Sequence, residues 1–488
     1  MARWQFVFAL ERQGGVPLFQ QIARAIATDI RRGRLRPGDA LPGTRTLAQS
    51  LGVQRLTVVS AFDDLVAEGW IVNRPARGAF VSSEVPDPKP RRFTSREPPT
   101  AVAERTGFDL LAAPEPELPY DVPPGGLLFA PSRPDVRLAP SALIGRAFRR
   151  VMSRAGTALL SYGPPEGHPR LRQSIAGMLA STRAVSATPA NVCITRGSQM
   201  AISLLARSLL RPGDLVAVEQ LGYRPAWESF RLSGARVIGL PVDADGLRVD
   251  ALEPAIRDHN VRAVYVTPHH QFPTTVTLSA GRRLKLLDLA RAHRIVIIED
   301  DYDHEFHYDG GPVLPLASAD SFGVVVYVGT LSKVLAPGLR IGYVVAPVPL
   351  IDRIAAHRSH IDMQGDHVLE CAVADLLEAG EIQRHIRRVR REYRVRRDML
   401  VAALTKHLGD RVTFAVPAGG IAIWVKAVKG INVDKWAATA RRHGAVVVTA
   451  AAFSLDRRPH PFLRLGFASL NGEELQEGVR RLEASCPR

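Results

Sequence analysis

Cysteine is nearly missing from this chain. Cys193, Cys371 and Cys486 are the only three among 488 residues, and no two of them share a paired spacing. That excludes a disulfide framework and a zinc ribbon and suits a reducing cytosol. Lysine is scarce too: Lys89, Lys285, Lys333, Lys406, Lys426, Lys429 and Lys435 are the full set, so chemistry that needs a side-chain amine has few candidates. No uninterrupted apolar run is long enough to span a bilayer. Met1–Leu10 carries Arg3 but has neither a long apolar core nor a small-residue cleavage site. The expectation is a cytoplasmic protein with no membrane partner. Acids are also the minority, 48 against 64 basic residues, for a net charge of +16. Such a charge raises the case for a nucleic-acid partner without deciding it, and an arginine-rich coding bias would produce the same excess.

With 46% apolar and 23% charged residues, the chain can bury sizeable cores, and its length predicts two or three folded units. Residues 1–82 read as short helices and a hairpin. Residues 83–126 are rich in Pro, Glu, Asp and Arg, as in Val85-Pro-Asp-Pro-Lys-Pro-Arg-Arg, Pro114-Glu-Pro-Glu and Pro123-Pro-Gly-Gly, a composition that builds no core and serves as a linker. Residues 127–488 then alternate β-branched runs with amphipathic stretches.

In the first unit Pro17 opens a helix with the apolar stripe Leu18, Ile22, Ile26 and Ile30. A second helix runs from Thr44 to Leu51 and breaks at Gly52-Val53. A third, Gln54 to about Glu68, is expected to bury Val58, Phe62, Leu65 and Val66 while keeping Gln54, Arg55, Thr57 and Ser60 polar at its start. Two helices joined by a tight glycine turn, the second polar at its N-terminal end, suit entry into a major groove. Trp70–Val81 reads as a hairpin with Arg74, Arg77 and Gly78 near the tip. Eleven arginines face six acids over this segment, a net +5. A helical protein-interaction module with solvated arginines would read the same way.

The motifs Pro17-Leu-Phe-Gln-Gln-Ile, Gly33-x-Leu-x-Pro-Gly-x-x-Leu-Pro, Arg45-x-Leu-Ala, Leu51-Gly-Val, Arg55-x-Thr-Val and Leu65-x-x-Glu-Gly together resemble a GntR-type winged helix. The resemblance implies a double-stranded DNA operator as partner, with Arg45, Arg55 and Thr57 meeting phosphates and base edges and Gly78 at the wing tip. Gln54 stands where that pattern has serine, and Ala76-Arg77-Gly78-Ala79 replaces its small Gly-Ser-Gly-Thr wing. Gln54 and Arg77 are therefore DNA-facing candidates that bear on operator choice.

Beyond the linker, runs such as Val192–Thr195, Leu215–Glu219, Ala263–Thr267, Ile295–Glu299, Val324–Val328 and Ile341–Val345 are apolar on consecutive positions, as in strands buried on both faces of a mainly parallel sheet. Helical intervals Ser198–Leu210 and Ala280–His293 supply crossovers, so the reading is a doubly wound α/β lobe followed, beyond about Pro349, by a smaller α+β lobe. Gly329-Thr-Leu-Ser-Lys333 ends one strand, with Arg340 seven residues on and the acidic strand end Ile297-Ile-Glu-Asp-Asp-Tyr-Asp303 before it. A lysine so placed can form a Schiff base, a buried carboxylate can hold a pyridinium proton, and Thr195-Arg-Gly-Ser-Gln199 joins a strand to a helix start that favours a phosphate. Asp300, Asp301 and Asp303 could each instead be a loop acid.

Together these segments resemble the fold-type I pyridoxal-phosphate enzymes of the aspartate aminotransferase group. The resemblance implies pyridoxal 5′-phosphate as cofactor, Lys333 as its Schiff-base lysine and Asp300 as partner of the pyridine nitrogen. It also implies Tyr302 near the phenolic oxygen, Tyr223 stacked on the ring, and Ser198, Gln199, Thr330 and Arg340 around the phosphate. Tyr162 matches a residue that reaches a neighbouring subunit's cofactor, and Arg464 one that clasps a substrate carboxylate, a bidentate task suited to guanidinium. Two departures stand out: Phe272-Pro273-Thr274-Thr275 replaces Asn-Pro-Thr-Gly, and Leu221 replaces the proline before Gly222-Tyr223. His269-His270 and His304-x-x-His307 lack the helical spacing of a zinc protease and are expected to be surface or core histidines, with no metal.

A winged helix, a linker and a fold-type I domain in one chain resemble the MocR/GabR family of bacterial regulators. That resemblance implies a sensor of a small amine or amino-acid effector, or of pyridoxal phosphate itself, built as a domain-swapped homodimer. A working aminotransferase with an appended DNA-binding domain is the alternative. A DNA-binding scaffold without cofactor is disfavoured by the joint presence of Lys333, Asp300 and Arg340.

Overall fold

The computed structural model describes residues 10–12, 15–75, 77–84, 106–110, 120–311 and 313–487. The linker motifs at 85–92 and 114–117, and Ala76 of the wing, lie outside the described residues. Contacts divide the chain into two compact units, Met1–Leu111 and Ala112–Arg488.

The N-terminal unit holds helices α1 (Leu18–Arg31), α2 (Thr44–Leu51) and α3 (Arg55–Ala67), then the antiparallel hairpin β1 (Ile71–Arg74) and β2 (Gly78–Val81). The predicted α1 stripe is buried at Ile22, Ile26 and Ile30, whereas Leu18 at the first turn is only half-buried. Gly52 ends α2 in the left-handed region at φ 61°, where a glycine avoids the Cβ clash. The core of this unit draws on Val58, Ala61, Phe62 and Leu65 of α3 together with Trp70, Ile71 and Val81. Val66, expected in that core, is exposed, because the helical period carries Leu65 inward and its neighbour out.

In the second unit a seven-stranded sheet is built from β3 (Val192–Thr195), β4 (Leu215–Glu219), β5 (Arg236–Leu240), β6 (Val261–Val266), β7 (Val296–Asp301), β8 (Val325–Thr330) and β9 (Gly342–Val345). The spatial order is β3-β9-β8-β7-β6-β4-β5. β9 runs antiparallel to both neighbours, and the other pairings are parallel. Most of these strands are buried at every position, which explains their unalternating apolar sequence. Helices α4 (Ser198–Leu209), α5 (Arg224–Leu232) and α6 (Ala280–His293) make crossovers. The predicted strand ending at Val328 continues through Thr330, so Gly329 lies inside it. There a Cβ would strike the Tyr343 ring at 2.3 Å.

The smaller lobe carries the 28-residue helix α7 (Glu381–Leu408) and a four-stranded sheet of β10 (Val412–Phe414), β11 (Ala422–Ala427), β12 (Val448–Thr449) and β13 (Phe462–Gly466), in the order β10-β11-β13-β12. Residues 120–126, whose composition reads as linker, are tied to this lobe: Arg441 pairs with Asp121, and Arg481 Nη1 donates to the Gly125 carbonyl at 2.9 Å.

Candidate cofactor pocket and DNA-binding face

Parallel strands place their carboxyl ends along one edge of the sheet, where ligands of α/β proteins sit. The loops after β3, β4, β6, β7 and β8 all emerge there, and beside them opens a cavity of about 1170 Å³. Gln199, Tyr223, Phe272 and Lys333 line it, with Arg133, Glu228 and Phe453 among their neighbours. Burial lowers the Lys333 ammonium from 10.5 to about 8, with Asp300 and Asp303 opposing that fall and Arg464 and Arg133 adding to it.

Asp300, last but one in β7, is buried behind this wall. Its Oδ2 accepts from the Tyr265 hydroxyl at 2.6 Å, and Oδ1 is buried without a hydrogen-bond partner. Burial pushes its carboxyl up to about 6. The two other aspartates of the strand end are engaged elsewhere. Asp301 Oδ2 accepts from the Tyr327 hydroxyl at 2.6 Å, and Asp303 Oδ1 lies 2.8 Å from His270 Nδ1. Tyr302 donates its hydroxyl to the His270 carbonyl at 3.0 Å.

Next to Gln199, which lines the pocket, Gly197 adopts φ +80° just before Ser198 opens α4. A Cβ on Gly197 would meet Arg340 Nη2 at 2.7 Å, and one on Gly342 would meet Ser198 N at 2.8 Å. These glycines thus keep a narrow cradle of backbone N–H groups open beside a guanidinium, the arrangement that favours an anion. Arg340 Nη2 also donates to the Arg196 carbonyl at 2.8 Å. Gln199 donates from Nε2 to Pro225 O and Ser229 Oγ, both at 2.9 Å. Thr330 accepts at Oγ1 from Ser332 N at 3.1 Å.

Arg464, on β13, is fully buried. Its Nε donates to the Pro131 carbonyl at 2.8 Å, Nη1 donates to the Pro273 carbonyl, and the guanidinium lies 4.7 Å from the Phe272 ring centroid. Nη2 is buried with no hydrogen-bond partner. Tyr162 does not line the cavity and is 82% exposed.

On the N-terminal unit, Arg45 of α2, Gln54 and Arg55 at the start of α3, and Arg77 and Gly78 at the wing are exposed, and Thr57 is half-buried. Arg55 Nε reaches Thr44 Oγ1 at 3.4 Å, tying the first turns of α2 and α3. Gly78 takes φ +93°, a turn that other L-residues rarely enter.

Residues 136–482 match the model of aminotransferase class I and II, and residues 18–81 that of the bacterial regulatory proteins of the gntR family. The probable rhizopine catabolism regulatory protein MocR of Rhizobium meliloti is 30% identical over 98% of this chain and 96% of its own length. The HTH-type transcriptional regulator TauR of Rhodobacter capsulatus is 32% identical over 96% of each chain. The chain belongs to the MocR family. Its larger unit also resembles LysN, an α-aminoadipate aminotransferase of Thermus thermophilus crystallised with a phosphopyridoxyl-leucine. That likeness has a TM-score of 0.69 and 30% identity and covers 74% of this chain and 92% of that one.

As a MocR-family chain it joins a GntR winged helix to a fold-type I domain whose cofactor is pyridoxal phosphate. The pocket fits that group. Asp300 Oδ1 is an unsatisfied acceptor, the Gly197–Ser198 cradle suits a phosphate, and Lys333 is held with a depressed pKa. Tyr265, whose hydroxyl orients Asp300, was not among the residues expected from sequence, and the contact of Phe272 with Arg464 adds to the departure noted at that motif. A tyrosine in a buried apolar run was the available signal, since a buried hydroxyl seeks a partner. Among the described residues no helix is long and apolar enough to cross a membrane.

Proposed function

We propose that the chain is a ligand-responsive transcription regulator. Residues 1–82 hold a double-stranded operator, residues 83–126 connect, and residues 127–488 bind pyridoxal phosphate and read a small amine or amino acid. Lys333 supplies the amine that attaches the cofactor, which once bound offers an electrophilic carbon and an electron sink. Asp300 holds the proton on the pyridine nitrogen, Tyr223 covers the ring and Tyr302 stands near the phenolic oxygen. Ser198, Gln199, Thr330 and Arg340 take the phosphate. Arg45, Gln54, Arg55, Thr57, Arg77 and Gly78 face DNA.

The observation that carries the ligand-binding part of this reading is Arg464. A buried guanidinium with one unpaired N–H₂ group costs stability, and a ligand carboxylate is the natural partner for it. Pro131 and Phe272, which hold this guanidinium, also line the cavity. Lys333 and Arg464 therefore suit the two ends of an α-amino acid. Tyr162, exposed on its own chain, suits a reach into a second copy's pocket within a domain-swapped homodimer.

Retention of Lys333, Asp300 and Arg464 together favours a second reading, a functional aminotransferase with an appended DNA-binding domain. Operator binding measured across a panel of amino acids, beside turnover with a keto-acid acceptor, tests both. Operator affinity that responds to one amine without turnover is the expected result. Turnover with no amine altering operator affinity would overturn the sensor reading.

A further inference from the structure

Four histidines that sequence spacing left apart meet at the carboxyl ends of two adjacent parallel strands. His269 and His270 follow β6, and His304 and His307 follow β7, which pairs with it. Ring centroids lie 4.3 Å apart for His269–His270, 4.7 Å for His269–His304 and 6.0 Å for His269–His307. One ring nitrogen from each of His269, His270 and His307 falls within 4.8 Å of the others.

The nitrogens are not used as an apolar core would use them. Both nitrogens of His269 and both of His307 are buried without a hydrogen-bond partner. A buried polar group left unpaired is destabilising, and here one nitrogen of each ring lies close to one nitrogen of the other. His270 is oriented by a carboxylate, with Nδ1 2.8 Å from Asp303 Oδ1, which leaves Nε2 as its lone-pair donor. A carboxylate behind a histidine is the arrangement that fixes the tautomer of a metal ligand and raises its basicity. The turn Gly419-Gly420 covers the cluster: a Cβ on Gly419 would strike His270 Nε2 at 2.3 Å. His304 stands beside the trio with Nδ1 3.1 Å from Asp301 Oδ2.

We propose that His269, His270 and His307 bind a divalent transition metal ion of the zinc class, with Asp303 as the carboxylate behind His270. Three imidazoles without thiolate or carboxylate ligands select zinc, cobalt, nickel or copper over magnesium and calcium. The ion ties the loop after β6 to the loop after β7. The first of these loops continues directly into Phe272 and Pro273, which hold the Arg464 guanidinium. The metal thereby braces one wall of the pocket without entering it, and the site stands or falls independently of the regulatory reading.

Untagged full-length chain, stripped with chelator and dialysed, is titrated with Co²⁺ and separately with Zn²⁺. The expected result is one ion per chain, intense visible cobalt bands of four-coordinate type, and a zinc absorption fine structure showing three or four imidazoles. His307→Gln, at the least buried ligand, should weaken binding at least tenfold. Asp303→Asn should weaken it by about 10–100-fold, and His443→Gln, at an exposed position, should change nothing. An oxygen-dominated zinc shell in the wild-type chain overturns the proposal whether or not the variants fold. Full affinity in a folded His307→Gln chain, or no uptake by the wild type, overturns it equally.

Discussion

Replacing Lys333 with methionine should stabilise the cofactor-free chain and destabilise its response to cofactor. The lysine amine falls from 10.5 to about 8, burial being the largest cause. That corresponds to ~3 kcal/mol against the charged form. Methionine keeps the shape and removes the charge. Part of the gain is lost, because Asp300 is deprived of a cation that helps keep it ionised, and because part of the Lys333 side chain faces the cavity. A net gain of about 2 kcal/mol is expected at neutral pH.

The sign follows from linkage. A lysine whose folded value lies below its unfolded one penalises the fold fully at pH below about 8, and the penalty fades as pH rises toward 10.5. The variant should therefore melt above the wild type at pH 7, with the gap closing toward pH 10. Added pyridoxal phosphate should reverse the order at pH 7, since a ligand at 100 times its Kd stabilises the chain that binds it by ~2.7 kcal/mol. Thermal unfolding of both chains, with and without cofactor at both pH values, is the assay. A cofactor-free variant that melts below the wild type at pH 7, or a gap unchanged at pH 10, would show that the buried Lys333 charge does not destabilise the fold.

Arg55→Ala should cost about 1–3 kcal/mol of discrimination between operator and unrelated DNA. Arg77→Ala should instead weaken both and lower the salt slope by about 1; fluorescence anisotropy over a salt series separates the two outcomes. Thr275, a β-branched residue at φ +66°, should be strained there. Thr275→Gly should raise stability by about 1 kcal/mol, read as a higher melting temperature. Arg464→Lys keeps the charge but loses the fork, so it should weaken a carboxylate effector by roughly 10- to 150-fold, about 1.5–3 kcal/mol, in a direct binding titration. The cofactor's visible band should be unchanged in that variant.

Much of the fold could be read from local pattern. The stripe Ile22, Ile26 and Ile30 and the unalternating runs at Val192–Thr195 and Leu215–Glu219 name their elements because their periodicity is set by burial alone. Val66 was misplaced because a hydrophobic residue next to a buried one looks the same in sequence on either side of a helix. The antiparallel direction of Gly342–Val345 was hidden, since a strand buried on both faces reads alike in either direction. The histidine cluster was hidden for a different reason. His270 and His307 are brought together only by the side-by-side pairing of Val261–Val266 with Val296–Asp301, and strand order is a property of the whole sheet. The unpaired Nη2 of Arg464 and the free oxygen of Asp300 likewise depend on what the fold leaves uncovered.

The decisive measurement is an effector titration of the chain carrying pyridoxal phosphate, run once alone and once saturated with operator. If the larger unit senses a ligand and adjusts DNA binding, linkage requires each ligand to change the other's affinity by one common factor, typically about 5–150-fold. Two different effector midpoints are expected, with a ratio equal to the change in operator affinity measured at saturating effector. Identical midpoints with and without operator would show that the larger unit does not adjust DNA binding.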